Sequence, residues 1–463
     1  MSTFRPELHV TADSGILEGP AGVIFDGREG ENNWHIFYQY RPTPEAPSRW
    51  GHNVSDGDPF SWVECNDAIV PAGGESAVRA GAVIGAPEGI YLYFTSATAA
   101  GNTIQLAHAP ELEGLCDELL EDTNATPGVQ RLGDIVEDTP EYNNFRSPCV
   151  VPDWKDDERE EHDGWLMLAI TGSVDTPKPV VLRSIDGVEW RFEGPLTFDG
   201  DPGIDLDETL VAPRICRLRD EVDSKIYDVF FFTLERGGKD RSAYIIGKLE
   251  NNTFRVTTPA QALDFGHDFT RPRNTNYLPV AMDPAQRYQG TYLFGFMTPS
   301  GRQGSPTKEP NWETEGWANT LTLPRYVTLQ DGHLYQVPAP GLPEAVSTTR
   351  GAHLWTALCE ISAGGSVVAE VVDGNGEVAA RVTHAGDKLT VDRFDGQVAE
   401  AEIGEDEEDT ITVIVDGSTL EVYADGGAVV MSSRIWPENG CIGIRSRAKD
   451  DASILNEWRR SRC

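Results

Sequence analysis

The chain is built of short apolar runs rich in β-branched and aromatic residues, such as "WHIFYQY", "IYLYFTS", "GWLMLAIT", "KIYDVFFFTL", "AYIIGKL" and "TYLFGFM". Gly, Pro, Asp and Asn separate them, so the pattern reads as many strands joined by turns. Helical periodicity is scarce, and "APELEGLCDELLED" is the main candidate for a short helix. The expected class is all-β. With 463 residues the chain is too long for one small core and suits two domains.

Two patterns divide it. Over residues 1–340 a strand pair recurs with a closing aromatic phrase, as in "DPFSWVEC", "DGVEWRFEGPL" and "ENNTFRVT", which suits four-stranded units around an axis, a β-propeller. Pro and Gly cluster in "YQVPAPGLPEAVSTTRG". Alternation after Gly351 then predicts a separate β-sandwich over 348–463, with "VDGS" and "ADGG" as hairpin turns.

The 38 basic and 75 acidic side chains give a net charge of −37, which repels nucleic acid and anionic membranes. No run approaches the roughly 18 apolar residues of a membrane helix. "MSTFRPELHV" lacks the apolar core of a secretory leader, so a cytoplasmic location is expected. Acidic stretches such as "DWKDDEREEHDG" and "EIGEDEED" read as solvated hairpin tips. The seven cysteines are scattered, with no CxxC pair and no Cys/His cluster at metal-ligand spacing, so reduced thiols and neither metal nor cofactor are expected. Cys149 and Cys216 fall in strand-like runs as small hydrophobes, and Cys463 is expected at the surface.

The opening "HVTADSGILEGPAGVIFDG" resembles the first sugar-site motif of glycoside hydrolase family 32, the invertases, inulinases and levanases, with His9, Gly15, Pro20 and Gly22 in register. "FYQYRPTPEAPSRWGHNVSDGDPFSW", "NNFRSPCVV", "GWANTLTLPRYVTLQDGHLYQVP" and "ITVIVDGSTLEVYADGGAVVMSSRIWP" are similar to later motifs of that family, in order. The resemblance implies a five-bladed propeller with a funnel-shaped sugar site, followed by a β-sandwich. It also implies fructoside cleavage with retention, which needs two carboxyl groups about 5 Å apart, one attacking and one protonating the leaving oxygen.

The catalytic positions differ. Gly19 stands at the family's nucleophile, Ser147 at the aspartate of its F-R-D-P motif, and Val211 at its acid/base glutamate. Glycine and valine neither attack nor transfer a proton, so the standard mechanism cannot run there. Glu18 adjoins the emptied nucleophile position, although strand alternation opposes its reaching the same face. Glu208, in the acidic run with Asp199, Asp201, Asp205 and Asp207, would need a bulge to reach the funnel. Gln39, Trp50 and Arg146 match positions near the sugar, while Arg79 and Arg214 replace a serine and an aspartate of the family motifs. These features imply a funnel that binds a carbohydrate or related polar ligand, neutral or anionic, without β-fructosidase chemistry. The alternative is a glycoside hydrolase or transglycosylase using Glu18 and Glu208 as relocated carboxylates.

Overall fold

The computed structural model describes residues 4–28, 32–116, 128–153, 164–205, 208–236, 239–278, 286–298, 305–404 and 408–461. Five sheets, mainly antiparallel, form the propeller, with inner strands Gly15–Asp26, Ala77–Gly85, Arg146–Pro152, Thr209–Arg219 and Thr270–Asn274. Each inner strand packs beside the next, and the fifth returns to the first.

The inner and middle strands of the blades are largely buried on both faces, which is why they read as continuous apolar runs, whereas outer strands such as Gln130–Asp134 alternate. Every interface between neighbouring blades holds its own core. Phe37 and Val83 meet between the first two, Tyr93 and Met167 between the second and third, and Leu168 and Phe232 between the third and fourth. Phe231 and Leu293 meet between the fourth and fifth, and Phe296 and Ile36 close the ring.

The last blade strand ends at Pro338, a short helix spans Leu342–Thr348, and the sandwich begins with His353–Ile361. Its two five-stranded sheets enclose Trp355, Val367, Leu389, Val413 and Val422. One sheet has a face in water, and its strands, such as Val398–Glu402, alternate exposed and buried, whereas the other sheet packs its second face on the propeller, so Thr419–Ala424 and Val429–Arg434 are buried throughout. The predicted "VDGS" turn joins Glu408–Asp416 to Thr419–Ala424, with Gly417 at φ 56°. Of the predicted helix near "APELEGLCDELLED", a single 3₁₀ turn, Glu113–Leu115, is described; residues 117–127 lie outside the described set. Most of the two acidic tips, residues 154–163 and 405–407, lie outside it too, as do Asp207 and Cys463.

The expectation of reduced thiols requires correction, because Cys65 and Cys116 are disulfide-bonded. They stand 51 residues apart and meet only because the first two blades pack side by side, which no sequence spacing reveals. Cys149, Cys216, Cys359 and Cys441 are free.

A buried ionic network joins propeller to sandwich. Arg325, fully buried, donates to Asp264 at 2.7 Å and Glu421 at 3.2 Å, and also to Ser432. Glu421 accepts a bond from the Leu323 N–H at 2.7 Å and lies 3.2 Å from His9 Nε2, while His9 Nδ1 lies 2.8 Å from Asp416. Burial alone would lower the pKa of His9, but its hydrogen bonds to Asp416 and Glu421 outweigh that and raise it. Burial opposes ionisation of Glu421 as well, and His9 and Arg325 overcome it.

Two predictions follow from this network. Arg325→Met strands two buried carboxylates and should cost about 3–5 kcal/mol, measured from denaturant midpoints; a loss under about 1 kcal/mol would show that the pairing is dispensable. The raised pKa of His9 contributes stability that is complete below the ordinary histidine value of about 6.5 and is lost as pH rises through the folded-state value. His9→Gln should therefore flatten the fall in melting temperature between about pH 6 and pH 9.

Candidate active site

All five inner strands carry a register shift at the same depth. The shifts fall at Leu17/Gly19, Arg79/Ala82, Arg146 to Cys149, Val211/Arg214 and Thr270/Arg273. Each inserts unpaired chain, bends the strand and re-aims its side chains. Ser147, Ala212 and Arg271 adopt positive φ at these points, 56°, 50° and 51°, and Gly19 sits at 138°. A proline follows each of those four residues, as in "LEGP", "FRSP", "VAPR" and "TRPR", and the second blade has "VRAG". Proline lacks the N–H that a ladder requires, so it suits a bulge.

The bulges ring one funnel of about 890 Å³, lined by Glu18, Arg79, Arg146, Ser147, Val211 and Arg271 among others. Glu18 therefore does face the funnel, since the shift after Leu17 breaks simple alternation. Its carboxylate is fully engaged: Arg41 Nε is 2.7 Å from one oxygen, and the other accepts bonds from Gln39 at 2.6 Å and from Ser48. Gln39 also lines the funnel, and its carbonyl accepts the Ala80 N–H at 2.9 Å. A carboxylate held by two donors and an ion pair is a wall element rather than a poised nucleophile.

Ser147 and Val211 face the funnel where the resemblance places carboxylates. The Ser147 N–H donates to Thr95 Oγ1 at 2.9 Å. Gly19 has open space above it, because a Cβ there would meet only the Phe296 ring, at 3.9 Å.

Arg79 and Arg146 line the funnel. Arg146 donates to the carbonyls of Asn144, Gly172 and Ser173 at 2.7–3.0 Å. Burial lowers its pKa, and the neighbouring Arg79 charge lowers it further. Among the described residues neither arginine forms a salt bridge to a carboxylate.

Three expected site residues are placed elsewhere. Trp50 is fully buried in the core between the first two blades, its indole N–H donating to the Arg79 carbonyl at 2.9 Å, because the ring sits on the inward face of its strand. Arg214 is also buried: the shift that exposes Val211 turns it beneath the floor, where Nη1 donates to the carbonyls of Pro213 at 2.6 Å and Ser147 at 3.2 Å. Burial lowers its pKa to about 10. Glu208 precedes the strand Thr209–Arg219, short of its bulge, and is not part of the funnel wall.

Sequence reasoning missed Glu235, Arg271 and Arg273, all in the wall. Glu235 pairs opposite Thr209 and lies 3.6 Å from Arg271. Arg273 is 4% exposed, donates to the Pro20 carbonyl at 3.0 Å beside Gly19, and has a buried Nη1 without a partner. The recurring bulge phrase, "TRPR" in the fifth blade, is the signal that would have found both arginines.

The wall thus holds Arg41, Arg79, Arg146, Arg271 and Arg273 against Glu18, Glu45, Glu75 and Glu235, and Glu75 is already bound to Arg131 at 2.8 Å. A basic funnel opens in a chain of charge −37.

The architecture is a five-bladed propeller with a polar funnel at its axis, joined to a β-sandwich. The chain belongs to glycoside hydrolase family 32: the models of the glycosyl hydrolases family 32 N-terminal domain and C-terminal region match residues 9–338 and 373–458. It is similar to the sucrose-6-phosphate hydrolase of Bacillus subtilis, 25% identical over 94% of this chain and 90% of that one. The raffinose invertase of Escherichia coli is 22% identical over 98% of this chain and 94% of its own. A fructofuranosidase variant from Schwanniomyces occidentalis, solved with fructosylnystose, shares the fold at a TM-score of 0.79 and 17% identity, covering 100% of this chain and 98% of that one.

Restoring the family's carboxylates should not restore its chemistry. In Gly19→Asp/Ser147→Asp/Val211→Glu the new groups would stand in a wall that carries Arg79, Arg146 and Arg273, and catalytic groups must sit within about 0.5 Å of productive geometry. The φ of 138° also strains any side chain at position 19. Sucrose turnover by the triple variant is expected below about 1 per second; a rate above that would show that the surrounding shell still supports catalysis.

Proposed function

We propose that this protein binds a carbohydrate, or a related polar ligand, carrying negative charge in its funnel and does not run the β-fructosidase reaction. The observation that carries the reading is the replacement of three carboxylate positions by Gly19, Ser147 and Val211, at a site whose Arg79, Arg146 and Arg273 have no carboxylate partner among the described residues. An anion among these guanidinium groups would gain charge-assisted hydrogen bonds of about 1.5–3 kcal/mol each. The similarity to sucrose-6-phosphate hydrolases supports a phosphorylated sugar as the first ligand to try.

A second reading has one observation in its favour. Glu18 and Glu235 both line the funnel, so a carboxyl pair persists although Glu208 lies outside. Hydrolysis through that pair would be abolished by Glu235→Gln.

Sucrose, inulin and levan should show no turnover near 1 per second, the low end of ordinary enzyme rates. A sugar phosphate should raise the melting temperature more than its neutral counterpart, because selective binding stabilises by mass action. Its affinity should fall with added salt and drop about tenfold or more in Arg146→Ala, corresponding to loss of one charge-assisted bond. Equal binding of charged and neutral sugars, or steady hydrolysis lost in Glu235→Gln, would overturn the proposal.

A further inference from the structure

A second cluster of reactive side chains lies away from the funnel, between the first and second blades. His52, on the strand Arg49–Asp56, is fully buried, and its ring stacks on Phe37 at 4.3 Å. Its Nε2 lies 3.0 Å from His35 Nδ1 and its Nδ1 lies 3.7 Å from Cys116 Sγ. The Cys65 N–H donates to the His52 carbonyl at 2.8 Å, which ties Cys65 to the same strand. The ligand atoms of His52, Cys65 and Cys116 all lie within 4.8 Å of one another.

We propose that this cluster is a redox-gated metal site: with the Cys65–Cys116 bond reduced, the two thiolates and His52 Nδ1 take one thiophilic divalent cation, of which Zn²⁺ is the reference. Thiolate and imidazole are the donor set such ions prefer. Metal–sulfur and metal–nitrogen bonds of about 2.3 and 2.0 Å at a tetrahedral angle put S and N about 3.5 Å apart, close to the separation of Cys116 and His52. A His52 that donates Nε2–H to His35 turns its Nδ1 lone pair toward the sulfurs, the second-shell arrangement that orients ligating histidines. Cys116 is half-exposed, which leaves the fourth position open to water.

The disulfide and the metal exclude one another. A dithiol or phosphine reductant supplies two electrons, the S–S bond breaks, and each sulfur takes up a proton. Cation binding then releases both protons, forming two metal–sulfur bonds and one metal–nitrogen bond. A disulfide oxidant reverses the sequence, removing two electrons from the thiolates, re-forming the S–S bond and expelling the cation.

The test uses the full chain, oxidised or reduced anaerobically with a phosphine, then freed of reductant and titrated with Zn²⁺ or Co²⁺ alone. The reduced chain is expected to retain one Zn²⁺ after desalting, and with Co²⁺ to show thiolate-to-metal charge transfer and tetrahedral visible bands; the oxidised chain should do neither. Cys116→Ser should lose the charge-transfer band, although Cys149, Cys216, Cys359 and Cys441 remain. His52→Gln should weaken Zn²⁺ retention at least tenfold, the lower end of what losing a metal-site partner costs. Equal metal content in the oxidised and reduced chains, or Co²⁺ bound without thiolate charge transfer, would overturn the proposal. Both readouts come from the unmutated chain and stand even where a variant fails to fold.

Discussion

The guanidinium of Arg325 is the point on which propeller and sandwich are fixed to each other. It has no exposure, so its charge persists only because Asp264 and Glu421 face it from two elements distant in sequence. The consequence reaches the funnel. Asp264 begins a segment whose next anchor, Asp268, accepts bonds from Arg393 and from the Arg434 N–H, each at 2.7 Å. Five residues beyond Asp268, in the same segment, the chain delivers Arg273 to the wall. Sandwich contacts thus position part of a site that contains no sandwich residue.

Charge in this molecule is organised on two scales. The net −37 describes the chain as a whole and is consistent with solubility and with repulsion of polyanions. A small ligand inside the funnel meets the nearest side chains in a partly water-excluded wall, where screening by salt and solvent is weaker. Glu18, Glu75 and Glu235 are matched by Arg41, Arg131 and Arg271, which leaves Arg79, Arg146 and Arg273 in the wall against Glu45.

The class of fold was legible because its cause is local. Strand-length apolar runs and turn residues follow from backbone pairing, and the family motifs keep their order along the chain. The site was only half legible. Gly19, Ser147, Val211, Gln39, Arg79 and Arg146 could be placed because each falls within a motif. Trp50 and Arg214 were misplaced because sequence does not show which way a side chain turns: Trp50, on a regularly paired strand, points into the blade interface, and Arg214, at a bulge, lies under the floor. Arg271 and Arg273 were missed because closing aromatics were taken as the mark of each blade, whereas the phrase that repeats at the axis is the bulge. The disulfide had no local signature, since its halves come from different blades.

The ring of bulges also separates what this architecture must keep from what it can exchange. A residue at the shift contributes little to the ladder on either side, where pairing resumes at Gln39 opposite Gly19 and at Phe231 opposite Arg214. Its side chain projects into the funnel rather than into a core between blades, so replacing it leaves the five apolar interfaces untouched. Five such positions at one depth act as sockets around a common axis, and this chain has filled them with Glu18, Ala80, Ser147, Ala212 and Arg271. A lineage can therefore rewrite the funnel wall one socket at a time while the scaffold that displays it continues to fold.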